Sequence, residues 1–281
     1  MQQTIQKIHD FSRRSPVWFG AGFTVLAILV HELFAEFFYL FPGSTAISII
    51  SEITFLVWPT VLVLLFGFGY IYRKKGFWSA MGAGMFKVAP FFLLLISKIA
   101  QMLQDPATPW KSGPEIVLGV LMLIAVGYRE EILYRGVITN AIARKYADSA
   151  KGIWITVLSS SALFGAMHMG NVLHGASFQS ALIQSFSAIG TGAFFCAVYL
   201  RSGSIWGTAW LHTLINAAAA FEALFINSGS DLADVVNGLE GLALLQLIIA
   251  VFDFLIVAFL LRKSRQQKIL DRIRELNEEL G

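Results

Sequence analysis

The sequence predicts an all-α, polytopic membrane bundle, and three observations carry that prediction. Of 281 residues, 56% are hydrophobic and only 14% are charged, whereas a soluble globular domain carries about 25% charged residues. Leu, Ile, Val and Phe occur in long runs rather than at alternating or helical spacing, so much of the surface must face lipid. The basic residues then fall into blocks between those runs.

About 20 apolar residues cross the roughly 30 Å hydrocarbon layer, and about eight segments approach that length. They run from Val17 to Phe41, Ile47 to Tyr72 with Pro59 inside, and Met85 to Leu103 with Lys87, Pro90 and Lys98 inside. The fourth starts near Pro114 and ends in Arg129-Glu130-Glu131. The fifth to eighth cover Ile153–Met169, Phe178–Leu200, Ile205–Ile226 and Leu239–Leu261. Eight spans put both termini on one side. That side would collect Lys7, Arg13 and Arg14, then Arg73, Lys74 and Lys75, then Arg144, Lys145 and Lys151, then Arg201, and finally the six basic residues from Arg262 to Arg274. The opposite loops hold Lys111 with Asp105, Asp231 and Asp234. Lysine and arginine concentrate in cytoplasmic loops, so both termini are expected in the cytoplasm and the protein in the cell membrane.

The whole chain, 1–281, reads as one membrane domain: a motif-bearing core over 114–226, a basic amino-terminal segment 1–16 and a charged tail 262–281. The tail has the pattern of an amphipathic helix leaving the bilayer. No small-residue cleavage site follows the first apolar run, so no secretory signal peptide is expected. A net charge of +3 does not point to nucleic acid, and Cys196, the single cysteine, excludes an intrachain disulfide and a thiolate metal site. Oligomeric state leaves no mark in the sequence.

Charged side chains inside a span cost at least about 2.5–3.5 kcal/mol each, so they face partners, water or the bundle interior. Glu131 and Arg135 stand four apart on one helical face and are placed to pair. Glu130 points about 100° away around the helix and is left as a carboxylate free to take a proton from water. A second element is Phe164-Gly165-Ala166-Met167-His168, in which Phe164 and His168 share a face and the two small residues leave room for a neighbouring helix. A third is His212-Thr213-Leu214-Ile215-Asn216, which puts two hydrogen-bond donors on one face, fit to cradle a developing oxyanion. Each element alone also reads as a headgroup-facing charge cluster or as polar glue between helices. Together they predict a catalytic cavity among the fourth, fifth and seventh spans.

Glu-Glu-x-x-x-Arg, Phe-x-x-x-His and His-x-x-x-Asn, in that order, resemble the CAAX prenyl endopeptidase and bacteriocin-processing family, also called Abi or CPBP, whose members include the Ras-converting CAAX endopeptidases. The resemblance covers Glu130 to Asn216, less than a third of the chain, without departures, and the family's eight-helix core matches the span count. It implies an intramembrane endopeptidase that forms no covalent intermediate. Glu130 would activate a water that His168 helps to hold, His212 and Asn216 would form the oxyanion hole, and Glu131, Arg135 and Phe164 would support the site. The implied partners are a peptide or protein substrate, lipidated in the family's best-known members, and the bilayer.

The implied mechanism uses no cofactor. The alternative is a zinc enzyme with Glu130, His168 and His212 as ligands, since a catalytic zinc takes three protein ligands and keeps an open position. No His-Glu-x-x-His is present, and His31-Glu32 lacks its second histidine because Ala35 stands there. Ser159, Ser160 and Ser161 lack the Gly-x-Ser-x-Gly setting of a serine nucleophile. Asp253 is the lone aspartate well inside a span, which rules out an aspartyl dyad. Two other functions remain open: a non-catalytic immunity or scaffold protein of the same fold, and a transporter with a buried proton relay. No role is assigned to His31, Glu32, Glu36 or Lys98. Depth poses a condition. His168 lies about 22 Å from the start of its span and His212 about 10 Å from the start of its own, on the same side. They meet only if the fifth helix begins later, tilts or breaks.

Overall fold

The computed structural model describes residues 2–41, 45–72, 76–105, 107–227 and 243–279. Arg73, Lys74, Lys75, Asp231, Asp234 and the first residues of the predicted eighth span lie outside them. Among the described residues the secondary structure is helical, with one isolated bridge between Trp110 and Ile226. The helices are α1 (Gln2–Arg14), α2 (Pro16–Tyr39), α3 (Thr45–Leu65), α4 (Phe77–Gln104), α5 (Gly113–Glu131), α6 (Asn140–Tyr146), α7 (Ala150–Met167), α8 (Phe178–Ser202), α9 (Ile205–Ala219), α10 (Phe221–Phe225), α11 (Ala243–Leu260) and α12 (Lys263–Glu279). An eight-residue π-helical stretch, Ile132–Thr139, joins α5 to α6, and a 3-10 stretch, His168–His174, follows α7.

All eight predicted spans are mainly helical over their described parts, the second being interrupted at Phe66–Phe68, but they do not all qualify as spans. Pro16–Tyr39, Ala46–Leu65, Ala150–His174 and Phe178–Ser202 are long and apolar enough to cross a membrane. Two more candidates arise if bent pairs count as single spans: Phe77–Pro90 with Leu95–Gln104, bent by 51°, and Leu244–Leu260 with Lys263–Glu275, bent by 78°. The protein is therefore a multi-pass membrane protein, with four to six such spans among the described residues. The predicted fourth and seventh spans are the two that do not qualify. The fourth carries Glu115, Arg129, Glu130 and Glu131, and the seventh stops after 15 residues at Ala219.

Local chemistry starts the helices that matter. Ser112 and Glu115 form a capping box, with the Ser112 backbone N–H donating to Glu115 Oε2 at 2.8 Å. Ser149 and Ser204 accept from the backbone N–H groups of Gly152 and Gly207 at 3.2 and 3.1 Å, and so cap α7 and α9. Two apolar clusters form the interior. One surrounds Phe194–Val198 of α8 with residues of α4, α9 and α11; the other packs the π-helical stretch against α2 and α3. Both α1 and α12 pack against α6, which puts the two ends of the chain on one side of the bundle.

Buried charges are paired. Lys87 of α4 meets Asp253 of α11 at 2.7 Å with both side chains almost fully enclosed. Thr191 of α8 accepts from Lys87 at 2.9 Å and donates to Asp253 at 3.2 Å. The unassigned residues of the sequence find partners too. Arg129 donates to His31 Nδ1 at 3.2 Å, Glu32 lies 3.3 Å from His174, and Lys98 pairs with Glu222 at 2.7 Å, while Glu36 stays exposed. The first two contacts tie α2 to the segments that carry the motif residues.

Candidate active site

Glu130 and Glu131 are the last two residues of α5, and both are buried, at 9% and 0% exposure. The π-helical stretch begins at the next residue. Wide turns of this kind are rare and recur at functional sites, because the extra residue per turn re-aims side chains. Arg135 lies within it and reaches back to Glu131 at 3.1 Å, the pairing expected from the spacing. It also donates to the Gly192 carbonyl of α8 at 3.1 Å.

Register explains how the histidines arrive. The α5–π–α6 rod and α7 run antiparallel, with Thr139 and Ser160 hydroxyls 2.7 Å apart. Eight residues back along the rod from Thr139 is Glu131, and eight residues on from Ser160 is His168. The depth condition is met in part by the position of α9. The helix carrying His168 begins at Ala150, earlier than Ile153, and it is α9 that starts deep. His168 lies 18 residues from the start of its helix and His212 only 7 from the start of its own, so the two starts differ by about 16 Å. The space below the α8–α9 turn is taken by α12, whose Arg272 donates to the carbonyls of Leu200 and Tyr199 at 2.8 and 3.0 Å.

Close packing supplies the rest. A methyl group on Gly127 would lie 2.9 Å from the backbone nitrogen of Thr213, so α5 and α9 approach as only a glycine allows. Gly165 does the same for α7 and α8, where a Cβ would sit 2.6 Å from the Ser185 carbonyl. The room predicted beside His168 is thus occupied by a helix.

The outcome is a carboxylate–imidazole–carboxylate arrangement. His212 Nδ1 lies 2.9 Å from Glu131 Oε1, the oxygen that also faces Arg135. A carboxylate oxygen held by a guanidinium accepts, so Nδ1 carries the proton and donates. The other nitrogen, Nε2, faces Glu130 Oε2 at 3.6 Å, too long for a hydrogen bond. Spacing left Glu130 without a partner on its own helix; the neighbour it faces is His212 of α9. His168 Nδ1 lies 3.0 Å from the Phe164 carbonyl. A carbonyl only accepts, so Nδ1 carries a proton and neutral His168 keeps its Nε2 lone pair available.

Phe164 and Phe195 clamp this group. Phe164 touches the rings of His168 and His212 edge-on, at centroid distances of 5.0 and 6.3 Å, and lies under the Arg135 guanidinium at 4.5 Å. Phe195 stacks on His212 at 4.6 Å and lies 5.3 Å from Arg135. Phe195 escaped sequence reasoning. It sits in an apolar run of the predicted sixth span, where nothing polar sets it apart. Asn216 lies one turn beyond His212 on α9, half-buried, and its amide has no protein partner among the described residues. Ser160 and Ser161 are committed elsewhere, to Thr139 and to the Val157 carbonyl.

A zinc site would need Glu130, His168 and His212 gathered on one point. Among the described residues no group of three His, Cys, Asp or Glu side chains stands close enough to hold a metal ion, so no chemistry is derived through one.

Residues 112–218 match the family described as Rce1-like, type II CAAX prenyl endopeptidase Rce1-like. The matched segment is well under half of the chain. It runs from the Ser112 cap of α5 to the end of α9 and contains every residue placed in the site. No curated protein and no solved structure matches the chain.

Proposed function

We propose that this chain, which matches the CAAX prenyl endopeptidase family over residues 112–218, is an intramembrane endopeptidase that cleaves a peptide bond near the membrane surface with a glutamate-activated water. The observation that supports it most is the meeting of Glu130, His168 and His212, from three separate segments, inside a lipid-embedded bundle. Water held at the His168 Nε2 lone pair gives a proton to Glu130 while its oxygen attacks the scissile carbonyl. His212, with Nδ1–H engaged by Glu131, would offer an Nε2–H to the oxyanion in its doubly protonated form. Asn216 supplies a second, neutral donor. Glu130 then returns its proton to the leaving amine. Arg135 and Phe164 hold Glu131 and the two imidazoles in place.

Orientation follows from charge. Arg13, Arg14, Arg144, Lys145, Arg201 and Arg262 lie toward the side where α1 and α12 pack on α6, and lysine and arginine favour the cytoplasm. Both termini are accordingly assigned to the cytoplasmic side of the cell membrane. The substrate is a peptide or protein with a CAAX-like carboxy-terminal segment.

The test is cleavage of a fluorogenic prenylated CAAX peptide, with its unprenylated counterpart, by the purified chain in detergent. Glu130→Ala and His168→Ala are each expected to lower kcat by about 10²–10⁴-fold, with exposed Glu278→Ala unchanged and a strong chelator without effect. If Glu130→Ala cleaves like the wild type, the base is misassigned. Full biological complementation by Glu130→Gln would favour a non-catalytic role.

A further inference from the structure

We infer that a second site, remote from the proposed chemistry, binds the phosphate headgroup of an anionic glycerophospholipid. A cavity of about 270 Å³ opens between the first turns of α4, the end of α8 and the bend from α11 into α12. Three guanidiniums line it, those of Arg201, Arg262 and Arg265, and no carboxylate does. Arg262 and Arg265 act on Arg201 as like charges. The side chains of Arg201 and Arg265 have no hydrogen-bond or ion-pair partner among the described residues. Arg262 is held by weaker means, donating to the Ser264 hydroxyl at 3.2 Å and the Phe259 carbonyl at 3.3 Å and lying over the Phe259 ring.

Elsewhere this chain neutralises its clustered charges, as Lys87 with Asp253 and Arg135 with Glu131 demonstrate. Three neighbouring cations with no carboxylate among the described lining residues repel one another and favour an anion from outside. The other wall of the cavity identifies the donor. It is apolar, formed by Trp78, Phe86 and Phe259, which are 82%, 57% and 47% exposed. Phe86 and Phe259 meet edge-to-face at 5.5 Å across the α4–α11 seam. That seam leads down the outward face of α11 past Leu255 and Phe252, also exposed. A free phosphate would use the arginines and leave the seam bare. A phospholipid uses both, with its phosphate among the guanidiniums and an acyl chain along the seam.

The depth is right for a headgroup. The helix axis turns by 78° between Leu260 and Lys263, where the apolar α11 gives way to the charged α12. Basic pockets between helices at that boundary take anionic headgroups, each Lys or Arg contributing about fivefold in affinity. Trp78, at the second residue of α4, is an interfacial anchor in the same plane.

The experiment needs no proteolysis. The full chain is extracted into detergent containing equimolar phosphatidylglycerol and phosphatidylcholine, and the lipids it retains are read by native mass spectrometry. Wild type is expected to keep phosphatidylglycerol over phosphatidylcholine. Arg201→Gln/Arg265→Gln should lower that preference at least about tenfold. Lys263→Gln/Lys268→Gln, equal in charge and exposed on the same helix, should leave it intact. Neither arginine bonds to the protein, so the melting temperature in lipid-free detergent should not change. Equal loss in both double variants would reduce the effect to diffuse attraction and overturn the site. So would displacement of the lipid by millimolar inorganic phosphate, or a lower lipid-free melting temperature in the arginine variant.

Discussion

Replacing Gly127 by alanine tests whether the spacing of α5 and α9 sets the site. The added Cβ would stand 2.6 Å from Thr213 Oγ1, 2.9 Å from the Thr213 nitrogen and 3.1 Å from the Ala209 carbonyl oxygen. The hydroxyl can rotate away by giving up its bond to Ala209, but the two backbone atoms cannot. Ordinary Cβ contacts begin at 3.4 Å, so the helices must separate by about 0.5 Å, the gap between 2.9 and 3.4 Å. His212 is the neighbour of Thr213 and moves with it. Its 2.9 Å bond to Glu131 then lengthens to about 3.4 Å, beyond good hydrogen-bond geometry. Overpacking costs about 1–3 kcal/mol of stability. A shift of this size at reacting groups, scaled from about 10²-fold per ångström, costs about tenfold in rate or more. The assay is kcat/KM on the fluorogenic peptide, run beside thermal unfolding. Gly22→Ala is the control, since nothing lies within 4 Å of its Cβ. A Gly127→Ala protein that melts lower yet cleaves within about threefold of wild type would show that the α5–α9 contact does not set the chemistry.

Two further outcomes are expected. Asp253→Ala leaves the Lys87 ammonium enclosed beside Thr191 alone and should cost about 3–5 kcal/mol, whereas Lys87→Met/Asp253→Leu, which removes both charges, should be near neutral or stabilising; reversible unfolding in bicelles measures both, and simple additivity of the single changes would refute the coupling. Asn216→Ala should lower kcat by about 10²–10³-fold with little change in KM, as loss of one oxyanion donor does; steady-state kinetics decides, and a change confined to KM would make Asn216 a substrate-binding residue instead.

What could be read from the sequence was what depends on spacing along one helix. Glu131 and Arg135 pair because residues four apart share a face, and Phe164 reaches His168 for the same reason. What could not be read is what depends on the relative height of different helices. The Lys87–Asp253 pair joins residues 166 positions apart, and no local rule matches them. Phe195 is apolar within an apolar run and gains its place only because α8 happens to pass behind His212. The π-helical stretch over Ile132–Thr139 is invisible for a related reason, since its residues would suit an ordinary helix equally well.

The span count shows the same limit from the other direction. Hydropathy finds helices that surrender their surface to lipid, and the two that fail the test carry Glu130, Glu131, His212 and Asn216. The fourth predicted span fails because Arg129, Glu130 and Glu131 replace apolar residues at its end, where Arg129 meets His31, Glu131 meets His212 and Arg135, and Glu130 faces His212. The seventh fails because α9 starts part-way into the bundle, above α12, and needs only 15 residues to bring His212 level with Glu131. A membrane enzyme that hydrolyses a bond with water must keep polar groups at depth. Here α5 and α9, which hold such groups, argue least by composition for a place in the membrane, and their burial is supplied by neighbours such as α3 and α8, which are apolar enough to span it.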